Sequence, residues 1–190
     1  MTDLYLVRHG ETDWNRARRI QGLTDIPLND TGREQARLTG SLLTRRPITR
    51  VFASPLVRAR ETAEIIAREL GLPEPELRDA FVERDYGAAE GMGFHEIDVR
   101  YPPGTDVPGR ESREAVAERV LPALQALAAE HPGEALVVNS GIRLLEQAIK
   151  RRLPVVIVNR GITKGDARAT LKIDAGTSEV LVALRERLVS

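Results

Sequence analysis

The chain has 190 residues, enough for one full hydrophobic core and near the upper end of the usual single-domain size. Lys plus Arg equals Asp plus Glu, 28 against 28, so no global field draws it to nucleic acid or an anionic membrane. Cysteine is absent, which excludes disulfide frameworks, thiolate zinc sites and cysteine nucleophiles together and leaves the chemistry to His, carboxylates, Arg and hydroxyls.

In chain order, Leu4 to Val7 is a short apolar run that predicts a buried strand, ended by Arg8-His9-Gly10. With charge directly after that run, the start reads as no signal peptide, and no apolar stretch reaches the roughly 20 residues of a membrane span. A cytoplasmic location is therefore expected. Asn29-Asp30-Thr31 opens a predicted helix over Asn29 to Arg46, with Ala36, Leu38, Leu42 and Leu43 as its apolar positions and Pro47 as its stop. Val51 to Ala53 predicts a second strand. Ser54-Pro55 then opens a helix, with proline at or near its first position, Ala59, Ala63, Ile66, Ala67 and Leu70 on one face and Gly71 as its stop.

From Pro73 to Ser112 the composition turns to Pro, Gly and charge with weak periodicity, and an irregular functional excursion is expected. Arg113 to Glu130 predicts a helix with Val116, Val120, Leu121, Leu124, Leu127 and Ala128 on its apolar face. Strands follow at Ala135 to Val138, Pro154 to Val158 and Ala169 to Ile173, with helices at Ile142 to Arg152 and Ser178 to Leu188. Short apolar strands alternating with helices predict an α/β three-layer sandwich with a mostly parallel sheet, in a single domain of residues 1–190. His95 and His131 read as structural, and no metal-ligand spacing is present.

Three segments carry chemistry. Leu6-Val7-Arg8-His9-Gly10-Glu11-Thr12-Asp13-Trp14-Asn15 places an imidazole at a strand end beside a guanidinium fork suited to phosphoryl oxygens, with Thr12 and Asn15 as neutral donors. Ala53-Ser54-Pro55-Leu56-Val57-Arg58-Ala59-Arg60 sets Arg58 near a helix N-terminus, which favours an anion. Phe81-Val82-Glu83-Arg84-Asp85-Tyr86-Gly87 through Gly91 adds a carboxyl, Glu83, able to act on a leaving group if it holds its proton.

Together these segments resemble the histidine phosphatase and phosphoglycerate mutase superfamily over residues 1 to about 135. The resemblance implies a phosphoglycerate mutase-like fold and a metal-independent phosphatase with no cofactor, acting on a small phosphate monoester through a phosphohistidine on His9. It makes His9, Glu83, Arg8 and Arg58 catalytic, and it gives phosphate binding to Arg8, Asn15, Thr12, Arg58 and the Gln21-Gly22 loop. One element departs from the pattern. Leu136-Val137-Val138-Asn139-Ser140-Gly141 carries Ser140 where the family has a second histidine, and a hydroxyl supplies neither that charge nor that ring. The alternative is thus a catalytically weak or inactive phosphate-binding protein.

From about Leu136 the chain resembles the C-terminal part of sirtuin-type NAD-dependent deacylases, in Leu136 to Gly141, Leu153 to Asp166 and Lys172 to Val180. The glycine-rich NAD loop and catalytic histidine of that family are absent. A chimera is implied, in which residues 136–190 supply strand, helix, strand, strand and helix that complete the phosphatase sheet. The expected partner is a small phosphorylated substrate, with no nucleic acid or membrane, and an unpaired strand edge in the tail favours a homodimer.

Overall fold

The computed structural model describes residues 2–139, 156–158 and 171–173. Four strands, β1 (Asp3–Val7), β2 (Ile48–Ala53), β3 (Glu76–Leu77) and β4 (Ala135–Asn139), form a parallel sheet in the order β1-β4-β2-β3. In the central strand all five residues are buried, with Tyr5 and Val51 both in register with Val137. A parallel sheet needs cover on both faces, and the apolar run Ala135 to Val138 of β4 is what such burial requires.

Side-chain alternation along β2 and β4 divides the core between those faces. Phe52, Leu136 and Val138 pack with Phe81 and with Val116, Val120 and Leu127 of α5 (Arg113–Glu130). Val51, Ala53 and Val137 pack with Ala63, Ile66 and Ala67 of α3 (Val57–Leu70). The expected three-layer α/β sandwich is therefore observed. Helix α5 begins at the predicted residue, its N-cap Ser112 accepting the Ala115 N–H at 3.0 Å.

Helix α2 (Asp30–Leu43) is capped by Asn29, whose side chain accepts the Gly32 N–H at 2.9 Å, and ends short of the predicted Arg46. Its buried face is Gly32, Ala36 and Gly40 and not the leucines. Small residues at i, i+4 spacing let α2 lie close on α3: a Cβ at Gly40 would come within 2.7 Å of the Glu69 Cβ. Helix α3 also starts two residues beyond Pro55, because Leu56 is extended and acts as N-cap.

Residues 73–112 are more ordered than expected. Besides β3 they hold two single 3₁₀ turns, Asp79–Phe81 and Gly87–Ala89, and the short helix α4 (Phe94–Arg100), and Phe81 is fully buried. One further turn of helix, α1 (Asp13–Arg16), follows the Arg8-His9 segment. In the tail, β5 (Val156–Val158) and β6 (Leu171–Ile173) pair in parallel as a two-stranded sheet. The helices expected at 142–152 and 178–188, Ser140, and most of the segment expected to complete the sheet lie outside the described residues.

Candidate active site

The parallel strands deliver their C-terminal ends to one edge of the sheet, and the chain leaves β1 there as Arg8-His9-Gly10. Gly10 lies against the backbone of Gly32, where a Cβ would sit 2.3 Å from the Gly32 carbonyl oxygen. Its N–H donates to Thr62 Oγ1 at 3.1 Å, and the Thr62 hydroxyl donates to the Arg58 carbonyl at 2.7 Å. One buried threonine thus ties the histidine loop to the first turns of α3.

His9 Nδ1 lies 2.8 Å from the Gly10 carbonyl oxygen. A carbonyl only accepts, so Nδ1 carries the proton and Nε2 keeps its lone pair. Burial lowers the His9 pKa to about 3, the Arg8 charge adds to the fall, the Gly10 bond opposes it, and Arg58 contributes further. At neutral pH the ring is therefore uncharged.

Arg58 is 1% exposed in the first turn of α3. Its Nη1 donates to the Thr24 carbonyl at 3.0 Å and its Nη2 to the Gly22 carbonyl at 2.6 Å, while its Nε has no partner. Burial lowers its pKa; Glu83, Asp25 and Glu90 oppose that, Arg8 adds to it. Arg8 is solvent-accessible yet flanked by protein atoms; this desolvation lowers its pKa, and Glu83 and then Tyr86 oppose the fall. His9, Arg8, Arg58 and Glu83 thus form one electrostatic cluster of two cations, one neutral imidazole and one carboxyl. Glu83 is partly buried, its Oε1 accepting the Arg84 N–H at 2.8 Å. Beside it lies a cleft of about 350 Å³, lined also by Leu23, Val82, Asp85 and Glu111.

The remaining expected phosphate ligands divide. Thr12 is fully buried and closes a capping box: Asn15 Oδ1 accepts both the Thr12 N–H and hydroxyl at 3.1 Å, and Thr12 Oγ1 accepts the Asn15 N–H. Its one hydroxyl proton is engaged there. With Oδ1 committed to Thr12, the Nδ2 end of Asn15 is the one available to an anion. Gln21 is buried, with Oε1 unpartnered, and Gly22 gives its carbonyl to Arg58.

Glu90 and Asp25 were not singled out from the sequence, and both fix Arg58. Glu90 accepts the N–H groups of Leu23 and Thr24 at 2.7 Å and that of Tyr86 at 3.2 Å. It thereby holds the turn whose carbonyls seat Arg58. Gly22 has φ +57° and a Cβ there would overlap the Glu90 carboxylate, so only glycine fits. Asp25 accepts the Val57 N–H at 2.7 Å, filling the start of α3 that lacks a side-chain cap. The position of Glu90 within the Glu83 motif was the available signal; Asp25 offered none.

Asn139, at the end of β4 between Val7 and Ala53, is fully buried with both amide atoms unpartnered. His131 packs its ring 5.6 Å from that of Phe52 with Nδ1 3.5 Å from Glu134, and His95 is exposed on α4. Among the described residues no three His, Cys, Asp or Glu side chains converge as metal ligands, and no helix is long and apolar enough to cross a membrane.

The sequence matches the histidine phosphatase superfamily (branch 1) over residues 4–153, a span that runs past the boundary expected near residue 135 and takes in β4 and Ser140. It is 45% identical over 138 residues to the uncharacterized phosphatase PhoE of Bacillus subtilis, covering 73% of this chain and 70% of that protein. It is 36% identical over 155 residues to a metal-independent phosphoserine phosphatase of Arabidopsis thaliana, covering 73% of this chain and 63% of that one. The structure of a mycobacterial glucosyl-3-phosphoglycerate phosphatase complexed with VO3 superposes with a TM-score of 0.70 at 29% identity, over 78% of this chain and 80% of that one. With an imidazole, two guanidinium groups and a carboxyl gathered at the sheet edge and a family match over most of its length, the chain belongs to the histidine phosphatase superfamily.

Proposed function

We propose that this protein hydrolyses small phosphate monoesters in two steps through His9. Nε2 attacks phosphorus, the bond to the ester oxygen breaks, and Glu83 delivers a proton to the departing alcohol. Water then attacks the phosphorylated ring, Glu83 takes its proton, and inorganic phosphate leaves as His9 regains its lone pair. Arg8, Arg58 and the Nδ2 of Asn15 bind the equatorial oxygens and stabilise the charge spread over them. The cleft beside Glu83 gives the alcohol portion room, and two of the relatives named above are phosphatases of phosphoserine and of glucosyl-3-phosphoglycerate, both small phosphate monoesters. The reading calls on no metal or cofactor and places the enzyme in the cytoplasm as one domain.

The observation that carries it is the His9 ring, with Nδ1 bound to the Gly10 carbonyl and the ring held uncharged by its burial and by the Arg8 and Arg58 charges. Phosphate release from a panel of aryl, alkyl and amino-alkyl monoesters tests it. Turnover that is inhibited by vanadate and abolished in His9→Ala is expected. Vanadate binding with no release from any ester would establish the weak phosphate-binding alternative that Ser140 suggests.

A sirtuin-like origin of the C-terminal part, and with it a chimera, draws support from the parallel pairing of β5 with β6 and from the quoted segments. Calorimetric titration with NAD that gives no heat would remove any nucleotide role for it, and sedimentation would decide whether its strand edge pairs two copies.

A further inference from the structure

Arg119 lies on α5, outside the sequence segments that carry the phosphate chemistry, and all five of its N–H donors are used. Nη1 donates to the carbonyls of Ala80 and Val82 at 2.8 and 2.7 Å. Nη2 donates to the Glu83 carbonyl at 3.2 Å and to Glu111 Oε2 at 3.1 Å, and Nε donates to Glu111 Oε1 at 2.9 Å. Three bonds therefore grip the backbone at and just before Glu83, and two lock the guanidinium plane to a carboxylate.

Glu111 closes the bracket from the other side. Its Oε2 accepts the Asp85 N–H at 3.3 Å, its own N–H donates to the Asp85 carbonyl at 2.9 Å, and its carbonyl accepts Arg84 Nε at 2.6 Å. Residues 80 to 85 are thus held at both ends of Glu83. The Glu83 carboxyl in turn accepts the N–H of the next residue, so its position follows its own backbone. Arg119 and Glu111 also line the cleft into which Glu83 opens.

We propose that Arg119, braced by Glu111, is a positioning residue that holds the Glu83 carboxyl at the leaving oxygen; this rests on Glu83 being the general acid. A lysine cannot replace it, because three tetrahedral donors on a point charge cannot span three carbonyls and a bidentate carboxylate.

The leaving group supplies the test. An aryl phosphate such as p-nitrophenyl phosphate departs without a proton, whereas an alkyl phosphate needs one. The value of kcat/KM reports only the steps up to phosphorylation of His9. In Arg119→Lys and Glu111→Gln, kcat/KM for an alkyl monoester is expected to fall by about a hundredfold, as a displaced acid does. The aryl value and the vanadate inhibition constant should stay within about tenfold, and retained aryl turnover also reports a folded enzyme.

Equal loss on both esters, or loss on neither, would overturn the proposal. Glu83→Gln separates the two readings. If it discriminates between the esters and the bracket variants do not, only the positioning role fails; if Glu83→Gln itself does not discriminate, the acid assignment fails and the positioning role with it.

Discussion

Replacing Glu90 with alanine removes the anion that organises the Gly22 to Thr24 turn. That carboxylate accepts the Leu23, Thr24 and Tyr86 N–H groups and the Thr24 hydroxyl, the last at 2.5 Å. Hydrogen bonds to a charged group contribute about 1.5–3 kcal/mol each. The four share one acceptor, and the exposed Leu23 N–H is re-bonded by water, so the loss falls at about 2–4 kcal/mol and not at their sum. The same turn seats Arg58 through the Gly22 and Thr24 carbonyls. Vanadate inhibition is therefore expected to weaken about tenfold, equivalent to about 1.4 kcal/mol.

Urea denaturation and the inhibition constant read the two effects separately. Glu90→Gln keeps one acceptor oxygen and should fall between wild type and alanine in both. An alanine variant within about 0.5 kcal/mol of wild type, the range of an ordinary surface change, with unchanged inhibition would refute the argument.

The depressed His9 pKa has a pH signature. The unfolded ring protonates near 6.5 and the folded one near 3, so stability is undiminished above 6.5 and drops as pH falls from there toward 3. His9→Gln should flatten that acid slope in denaturation curves, and the wild-type His9 ring signal should not titrate between pH 5 and 8 by NMR. Gly22→Ala forces both the positive φ and a clash with Glu90, and a loss above about 1 kcal/mol with weaker vanadate binding is expected from the same two assays. Phe81→Ala, despite its place in an apparent loop, should cost about 3–5 kcal/mol in urea denaturation, because the ring is fully buried between β4 and α5.

How much of this was legible depended on whether the sequence alone encoded the contact. Strands β1, β2 and β4 and helix α5 announce themselves, since unbroken apolar runs and a Ser cap leave few other solutions. The α2 face did not, because glycine carries no hydrophobic signal and yet a close helix pair selects it. Phe81 reads as a loop residue in a charged stretch, and only the sheet edge above it shows that the stretch turns inward.

The site divides along the same line. His9, Arg8, Arg58 and Glu83 sit in local motifs whose chemistry is carried by residue type. Glu90, Asp25 and Arg119 act across sequence separations of 32 to 66 residues, on backbone groups that any residue could present. Gln21 and Gly22 show the reverse: the motif points to the anion, and Gly22 gives its carbonyl to the arginine.

The most direct measurement is covalent. Wild-type enzyme mixed with a labelled monoester and denatured within milliseconds in alkali should carry label on the peptide containing His9. That label should be stable in base, released by mild acid, and absent from His9→Ala. Steady turnover with no such adduct, or label on any other side chain, would contradict the phosphohistidine mechanism outright.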